Sequence, residues 1–443
     1  MRPSPATRWG RSSPAFAGVR TRGPAHRFHA TAERRVEPQL GPGLFSGARL
    51  TCATGAPFRI AMTAPLSPSK AGPLPAARVT SLDGVRGVAA CAVAAFHFLY
   101  AFRPDVYARD RTGFSLDDLP VAALWNGHFA VAVFFALSGF VLAASSPRSL
   151  REAPLMIGLR YVRLAVPALI SSAIAWAWLT GFPDAGRAAQ ALSGSSWFRW
   201  TYQPPIPPLS QALWEGGIGV FLDGTTRFNN PLWTMRAELI GSLLIYGSYA
   251  LLKGRTRAPA MVLGMVGFGL AEVYFLVAFC GGALVFELRD RLRDNAPVGW
   301  LLFALALTAG GIIPGHAAGG GLIGPVWPYL GAYGVCDIAA ILLIVSVLIT
   351  PGLRGFFEHA LLQRLGEMSF PLYLVHVPLI VAPAAFVFDR FSPLSPLGLA
   401  GLFIAVCIGS LVLAWGFLVC VERPLLGGLR RLRTRGRARL AAL

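Results

Sequence analysis

The stretch that decides the fold is SLDGVRGVAACAVAAFHFLYAF, residues 81–102. This apolar run is about as long as a membrane-spanning helix, and it carries Asp83 and Arg86 near its beginning and His97 near its end. On a helix, Arg86 and His97 would share one face and lie about 16 Å apart along the axis. Ionisable groups inside a membrane are costly and rare. The stretch therefore predicts a membrane span that contains a functional residue.

The composition of the whole chain also indicates a membrane protein. Of its 443 residues, 54% are hydrophobic and 14% are charged, which is too little charge to cover a water-soluble surface of this size. The net charge of +19 comes from basic residues in the tails and in short connectors between apolar runs, as the positive-inside rule expects. We therefore interpret the charge as membrane topology rather than as a nucleic-acid site, and predict an all-α polytopic bundle.

Apolar runs follow one another from residue 84 onward, at about 84–103, 121–144, 161–181, 231–252, 260–288, 298–313, 331–350, 368–388 and 397–421. Every arginine cluster between them falls on the cytoplasmic side only if residues 260–288 cross twice, with Glu272 at the turn. This gives about ten spans, with both termini in the cytoplasm. The alternative is one tilted span here, with Arg289 to Arg293 outside. The long connector 182–230 is expected to form an ordered outer cap with an aromatic rim.

The two ends of the chain differ from the membrane part, which we place at residues 78–426. Residues 1–77 are rich in Arg, Pro, Ala, Ser and Gly, and are expected to be disordered. One interpretation is a mis-assigned extension upstream of a natural start at Met62, so that residues 1–61 would not be translated. Another is an organelle transit peptide. Residues 427–443 are expected to form a basic cytoplasmic tail.

Metal and nucleotide motifs are missing from the sequence. The six cysteines show no CxxC or Cys/His spacing, so neither a disulfide framework nor a zinc site is predicted. There is also no Walker loop and no GxGxxG motif after a strand. A nucleotide-type ligand would have to be held in another way.

Three titratable residues are predicted to lie at one depth in the outer half of the membrane. Counting about 1.5 Å per residue from the ends of the runs places His97, His128 and Glu238 in this layer. A carboxylate beside His97 would orient its base form, as a general base that acts on a hydroxyl requires. Each residue also has a structural interpretation: a histidine that bridges helices, an interfacial histidine and a buried ion pair, respectively.

Three arginines are predicted at the cytoplasmic side. Arg160 and Arg163 are three residues apart in RYVR and share a helical face, and Arg86 opens the first span. Forked guanidinium groups on converging helix ends suit phosphate or pyrophosphate, although each arginine alone could be an ordinary anchor. Glu422 and Arg423 at the end of the last span are interpreted as a helix-end ion pair.

Five segments in order resemble the membrane-bound acyltransferase-3 family, whose members acylate sugars and other hydroxyl-bearing molecules. They are SLDGVRGVAACAVAAFHF (81–98), NGHFAVAVFFALSGFVL (126–142), LRYVRLAVPAL (159–169), NNPLWTMRAELIGSLLIY (229–246) and LGEMSFPLYLVHVPLI (365–380). The resemblance covers about residues 80–426. It implies a bundle of about ten core spans in the bacterial inner membrane.

The resemblance also implies a reaction and a site. The donor would be acyl-CoA and the acceptor a carbohydrate or another hydroxyl-bearing molecule, without a metal. A narrow tunnel lined by Ala and Val favours acetyl-CoA as the donor. His97 would be the base, Glu238 the acidic residue of its motif, and the three arginines would lie near the coenzyme. The residues expected to support this site are Asp83, His128, Ser138, Trp233, Tyr373 and His376.

Two departures from the family pattern matter. Ala132 stands where many relatives carry an acidic or polar residue, so that position receives no catalytic role. The sequence also ends about twenty residues after Glu422, without the esterase-like domain of some members. Transfer to the final acceptor is therefore expected in the membrane domain or on a separate downstream transferase.

The leading hypothesis is that His97, oriented by Glu238, deprotonates an acceptor hydroxyl, which then attacks a thioester carried up from the basic mouth. Direct transfer is the simplest scheme, and an acyl-enzyme on His97 or Ser138 is the alternative. A hypothesis of another class is a proton-coupled secondary transporter or exporter, with His97 and Glu238 as the proton relay. Consumption of acyl-CoA in detergent would distinguish the two classes. The acceptor, the acyl length and the oligomeric state stay open.

Overall fold

Helices make up the regular secondary structure of the described part of the chain. A computed structural model describes residues 79–107, 122–147, 149–200, 202, 204–312 and 327–442, and no strand occurs in these ranges. The predicted all-α class is confirmed. The predictions for residues 1–77 lie outside the described residues.

The α-helices are, in chain order, α1 (Thr80–Phe102), α2 (Gly127–Ser145), α3 (Ala153–Gly181), α4 (Ala185–Ser193), α5 (Trp197–Trp200), α6 (Leu209–Trp214), α7 (Val220–Leu222), α8 (Trp233–Leu251), α9 (Arg257–Leu270), α10 (Tyr274–Leu288), α11 (Ala296–Gly310), α12 (Trp327–Ile349), α13 (Pro351–Phe357), α14 (Ala360–Leu379), α15 (Ala385–Phe391), α16 (Pro396–Phe417) and α17 (Arg423–Ala441). Short π-helical segments, Glu215–Gly219, Ile380–Ala384 and Leu418–Glu422, join α6 to α7, α14 to α15 and α16 to α17.

Within the described ranges, six helical stretches are long and apolar enough to cross a membrane. They are Thr80–Phe102, Gly127–Ser145, Ala153–Gly181, Gly331–Ile349, Ala360–Phe391 and Pro396–Leu440. The chain is thus an all-helical membrane protein. The count of about ten spans is not confirmed and stays a prediction.

The run 260–288 is divided into two helices. α9 and α10 have 14 and 15 residues, and Glu272, with a positive φ of 57°, lies in the turn between them. Gly264 of α9 faces Cys280 of α10, so the two helices pack closely as a hairpin. Each helix is shorter than the roughly 20 residues that usually cross a membrane. The turn lies where it was predicted, while the double crossing stays a prediction.

The packing of α1 on α14 positions the site. An added Cβ on Gly87 would lie 2.6 Å from the backbone nitrogen of Gly366, so the two helices touch there, as small residues allow in membranes. Ten residues further along each helix, His97 meets His376. Both contacts have the same sequence offset, which means that α1 and α14 run parallel. Ten residues is the spacing from an a position to the d position of the next heptad, which keeps both contacts on one seam.

The connector 182–230 reaches further than the predicted outer cap. Trp176 of α3 donates its Nε1–H to the carbonyl of Pro207 (3.0 Å), and the Tyr161 hydroxyl donates to the carbonyl of Gly217 (2.8 Å). Trp176 and Tyr161 are 15 residues apart, so the chain from Pro207 to Gly217 follows α3 for about 22 Å. The large apolar side chains exposed between residues 207 and 222 are Leu209, Trp214, Ile218 and Leu222.

Candidate active site

His97 and His376 form the centre of the candidate site. His97 Nδ1 lies 3.0 Å from His376 Nε2, and His376 Nδ1 lies 3.0 Å from the carbonyl oxygen of Leu372. His376 is fully buried, whereas His97 is half-buried. The two rings are 5.1 Å apart between centroids. His376, which the sequence placed among the supporting residues, is thus the direct partner of the predicted base.

The hydrogen bonds assign the tautomers of both rings. A carbonyl oxygen can only accept, so His376 carries its proton on Nδ1 and donates it to Leu372. Nε2 of a neutral His376 then accepts, and His97 must donate from Nδ1. Nε2 of His97 is left without a proton. It therefore carries the lone pair that a general base needs.

Glu238 bonds to Arg160 and Ser138 rather than to His97. The Arg160 guanidinium donates to Glu238 Oε2 (2.5 Å), and the Ser138 hydroxyl donates to Oε1 (2.7 Å). Ser242, one turn after Glu238 on α8, accepts from Arg160 Nε (3.0 Å). Depth counting gives the level of a residue along the membrane normal but not the direction of its side chain. The predicted contact between His97 and Glu238 is therefore absent: His97 bonds to His376, and Glu238 bonds to Arg160 and Ser138.

A cavity with about 820 Å³ of empty space, its open mouth included, lies beside Glu238. Its charged lining is Arg86, Arg160, Arg163 and Glu238. The apolar lining includes Phe134, Phe135 and Leu137 of α2 and Met235 of α8. The three arginines predicted to converge therefore do share one cavity, and Ser138 and Tyr373 line it as well.

The three arginines differ in how far they are neutralised. Arg160 pairs with Glu238, and Arg86 lies 3.2 Å from Asp83 and donates to the carbonyl of Gly366 (3.2 Å). Nε of Arg86 is buried without a hydrogen-bond partner. Within the described residues, Arg163 has no hydrogen bond and no ion pair closer than 4.0 Å, and its electrostatic neighbours include Arg160, Arg86 and Glu422. Arg163 is therefore the least neutralised cation of the cavity lining.

Tyr373 contacts both the cavity and His376. It lines the cavity, and its ring is 6.0 Å from the ring of His376. Its hydroxyl donates to the carbonyl of Pro231 (3.0 Å) and lies 3.1 Å from Oγ1 of Thr234. Because the hydroxyl is held at the start of α8, the ring has a fixed position.

Aromatic rings surround the other side of His97. The ring of Trp197, from the connector, is 5.5 Å from His97, and Phe96 contacts both His97 (5.3 Å) and His128 (5.9 Å). His128 thus lies near the pair but across a phenylalanine ring. Trp233 is exposed, and its ring packs edge-on against Phe135 with 6.4 Å between the ring centroids.

Two residues of the site were not identified from the sequence. Ser242 had a signal, because it follows Glu238 by four residues and shares its helical face. Glu422 was interpreted as the partner of Arg423, but Arg423 pairs with Glu367 (3.3 Å), and Glu422 is buried with Arg163 and Arg86 among its electrostatic neighbours. Only the tertiary packing of α16 against α14 shows this.

No group of three or more His, Cys, Asp or Glu residues that could hold a metal ion occurs in the described ranges. The expectation of metal-free chemistry stays a prediction.

Comparison with known proteins finds relatives over most of the chain. Residues 79–419 match a family described as an acyltransferase domain. Over 361 residues the chain is 26% identical to the O-acetyltransferase PaAT-1 of Phomopsis amygdali, covering 68% of this chain and 71% of that protein. Over 330 residues it is 29% identical to the acyltransferase MdmB of Streptomyces mycarofaciens, covering 68% of this chain and 79% of that protein. No solved structure matches the chain. The matched family region contains every predicted site residue.

Proposed function

Because the chain belongs to the acyltransferase-3 family and is an integral membrane acyltransferase, we propose that it transfers an acetyl group from acetyl-CoA to a hydroxyl of a carbohydrate or another hydroxyl-bearing acceptor. The similarity to a protein named O-acetyltransferase supports the acyl group and the ester product. The observation that carries the proposal is the unprotonated Nε2 of His97, which the bond to His376 leaves available as a base.

The proposed chemistry is direct transfer. Nε2 of His97 takes the proton of the acceptor hydroxyl as its oxygen attacks the thioester carbonyl. The carbon–sulfur bond then breaks, and the coenzyme leaves as a thiol after it receives the proton from His97. His376 keeps the imidazole oriented through the transfer, since its Nε2 accepts from His97 Nδ1 throughout.

The surroundings of Ser138 favour direct transfer over an acyl-enzyme on that residue. Its hydroxyl donates to Glu238, whose other oxygen is neutralised by Arg160. Both oxygens of this carboxylate are therefore already engaged. Ser138 and the histidine pair make separate hydrogen bonds in the described part of the chain, so no histidine activates the hydroxyl.

The donor is proposed to enter from the arginine-lined cavity. Arg163 and the unpartnered Nε of Arg86 offer donors to the phosphates of a coenzyme, and guanidinium groups suit phosphate geometry. We place this end of the bundle, with both termini, on the cytoplasmic side of a bacterial inner membrane, because its connectors carry the arginines. Family membership favours this enzyme over a secondary transporter in which His97 and Glu238 would relay protons.

The test is transfer from radiolabelled acetyl-CoA to a panel of glycosides by the purified protein in detergent. We expect His97→Ala to lower the rate by at least about a hundredfold, the smaller end of the contribution of a positioned base. The control is His359→Asn, which changes an exposed histidine at the beginning of α14 and keeps a side chain that can cap the helix. Full activity of His97→Ala, or no consumption of acetyl-CoA by the unchanged protein, would sink the proposal.

A further inference from the structure

Pro378 interrupts the hydrogen bonding of α14 beside the histidine pair. Proline has no amide proton, so it cannot donate to the carbonyl four residues earlier in the helix, which here belongs to Leu374. Leu374 is fully buried, and a buried carbonyl without a donor costs free energy. It lies two residues before His376, on the same turn. The packing of this turn therefore depends on which groups replace the missing amide.

Two side chains outside α14 supply the missing donors. The Ser171 hydroxyl of α3 donates to the carbonyl oxygen of Leu374 (3.1 Å), and Nδ2 of Asn229 donates to the same oxygen (2.8 Å). Nδ2 of Asn229 also donates to the Ser171 hydroxyl (2.5 Å), which closes a ring of three hydrogen bonds. We call these two side chains and the carbonyl the Leu374 cluster.

The amide of Asn229 has only one orientation that fits this cluster. The carbonyl oxygen of Leu374 can only accept, so the amide nitrogen must face it and the amide oxygen must point elsewhere. That oxygen is buried and has no hydrogen-bond partner among the described residues. An unpaired buried oxygen is unfavourable, and a small apolar side chain would avoid that cost. The favourable contribution of Asn229 therefore comes from its N–H donors.

The Leu374 cluster joins three elements of the site. Asn229 comes just before the short 3₁₀-helical turn that leads into α8, Ser171 lies on α3, and Leu374 lies on α14. One turn of α14 is thus held by groups from two other parts of the chain. His376 lies on this turn, and a shift of its Nε2 would break the 3.0 Å contact with His97.

We propose that Asn229 and Ser171 are positioning residues for the acyl transfer. They replace the donor that Pro378 lacks, and they thereby hold His376 in contact with His97. This inference rests on the proposed role of His97 as the base. Neither residue is assigned a contact with the donor or the acceptor. Their loss should therefore slow the transfer step without weakening the binding of acetyl-CoA.

The first test compares Asn229→Ala with Asn230→Ala in the assay with radiolabelled acetyl-CoA. Asn230 is the next residue, and its side chain makes no hydrogen bond within the described ranges. We expect Asn229→Ala to lower kcat about tenfold with the KM for acetyl-CoA retained, since a displaced catalytic group can cost up to roughly a hundredfold. Asn230→Ala should keep both constants. Equal kcat values for the two variants would overturn the inference.

A matched pair at Ser171 keeps the inference testable if Asn229→Ala does not fold. Threonine and valine have the same shape, but only threonine keeps the hydroxyl that donates to Leu374. We expect kcat of Ser171→Thr to exceed that of Ser171→Val at least about threefold, as the loss of one buried hydrogen bond implies. No difference between them would show that the hydroxyl has no positioning role.

Coupling to His376 distinguishes positioning from a general loss of structure. In protein that already carries His376→Leu, the further change Asn229→Ala should lower kcat no more than about twofold, because effects that act through one residue are not additive. A second tenfold loss would mean that Asn229 acts on the site by another route, and the inference would be wrong.

A measurement without catalysis separates this inference from the proposed function. In protein with nitrogen-15 in its histidines, the His97 signals, assigned with His97→Ala, should show a protonated Nδ1 and an unprotonated Nε2. Asn229→Ala should give a mixture of tautomers, and Asn230→Ala should not. If this result holds in a protein that does not transfer acetyl groups, the proposed function fails and the positioning stands. Unchanged His97 signals in Asn229→Ala would overturn the positioning.

Discussion

A histidine bonded to a second histidine differs from one bonded to a carboxylate in the charge of the pair. Both rings of His97 and His376 are neutral in the assigned tautomers, so the pair adds no buried charge to the membrane interior. A carboxylate partner would stabilise the protonated imidazole more strongly but would itself be costly to bury. The pair therefore gives orientation and a fixed tautomer at a small desolvation cost.

The first prediction concerns this orientation. We expect His376→Leu to lower kcat about tenfold to a hundredfold, because His97 loses the acceptor that fixes its Nδ1 proton. His376→Gln should retain more activity, since its amide oxygen can accept from His97. The KM for acetyl-CoA should stay the same in both variants. Equal kcat values for the Leu and Gln variants would show that His376 only fills space.

The second prediction concerns the pair of Glu238 and Arg160, whose side chains are only 11% and 12% exposed. We expect Glu238→Ala to destabilise the protein by about 3 kcal/mol, because it leaves a largely buried guanidinium without its partner. Thermal unfolding in detergent measures this effect. The double variant Arg160→Ala with Glu238→Ala should recover part of the loss.

The matched control for this pair is Glu367→Ala. Glu367 pairs with Arg423 at 3.3 Å, against 2.5 Å in the buried pair, and these two side chains are 53% and 56% exposed. Exposed ion pairs contribute little, so the expected loss is no more than about 0.5 kcal/mol. Equal losses for Glu238→Ala and Glu367→Ala would mean that the buried pair has no special role in stability.

At the scale of helices, close contacts between glycines and backbones fix the neighbours of each span. α2 and α10 approach each other at two points: an added Cβ on Gly282 would overlap the carbonyl oxygen of Ala136, and one on Gly139 would overlap that of Phe279. Ser138 is next to Gly139, so this contact also sets the position of the Ser138 hydroxyl against Glu238.

The third prediction follows from this contact. We expect Gly282→Ala to destabilise the protein by about 1–3 kcal/mol, because two backbones must separate. Gly247→Ala in α8 is the control, since no atom lies within 4 Å of the added Cβ there. That control should be neutral or slightly stabilising, as alanine favours helices over glycine. Equal melting temperatures for the two variants would contradict the assignment of this contact.

Individual helices could be predicted from the sequence better than their partners could. The apolar runs located α1, α2, α3 and α8 closely, because the length and composition of a span are local properties. The partner of His97 was not predicted, because it depends on the offset between α1 and α14, helices separated by more than 250 residues. Small residues at Gly87 and Gly366 set this offset, and nothing local relates the two positions.

At the scale of the whole molecule, the fourth prediction tests the hairpin of α9 and α10. In a variant without its native cysteines, Glu272→Cys should react with a membrane-impermeant maleimide added outside the cell, because the hairpin would cross the membrane twice. Arg291→Cys, in the connector after α10, should react only after the membrane is opened. If both positions react from the same side, the hairpin does not span the membrane and the count of about ten is wrong.

The sequence predicted which end of the bundle holds the arginines, but it did not predict that His97 and Glu238 belong to separate hydrogen-bond networks. Counting along the runs brought Arg86, Arg160 and Arg163 to one end, and the structure lines one cavity with them. The same counting gave His97 and Glu238 one depth, yet the two residues belong to different networks. A depth is one coordinate of three, and the direction of each side chain depends on how the helices are rotated in the bundle.

The fixed ring of Tyr373 has a consequence for how much of the donor is lost to hydrolysis. It lines the cavity proposed for the thioester and packs against His376, the partner of the histidine that would activate a hydroxyl. The ring fills volume beside the thioester that water could otherwise occupy, so an enzyme without acceptor would lose little of its activated substrate to hydrolysis. Tyr373→Ala should raise the release of free acetate from acetyl-CoA in the absence of acceptor, and unchanged acetate release would show that the ring does not exclude water.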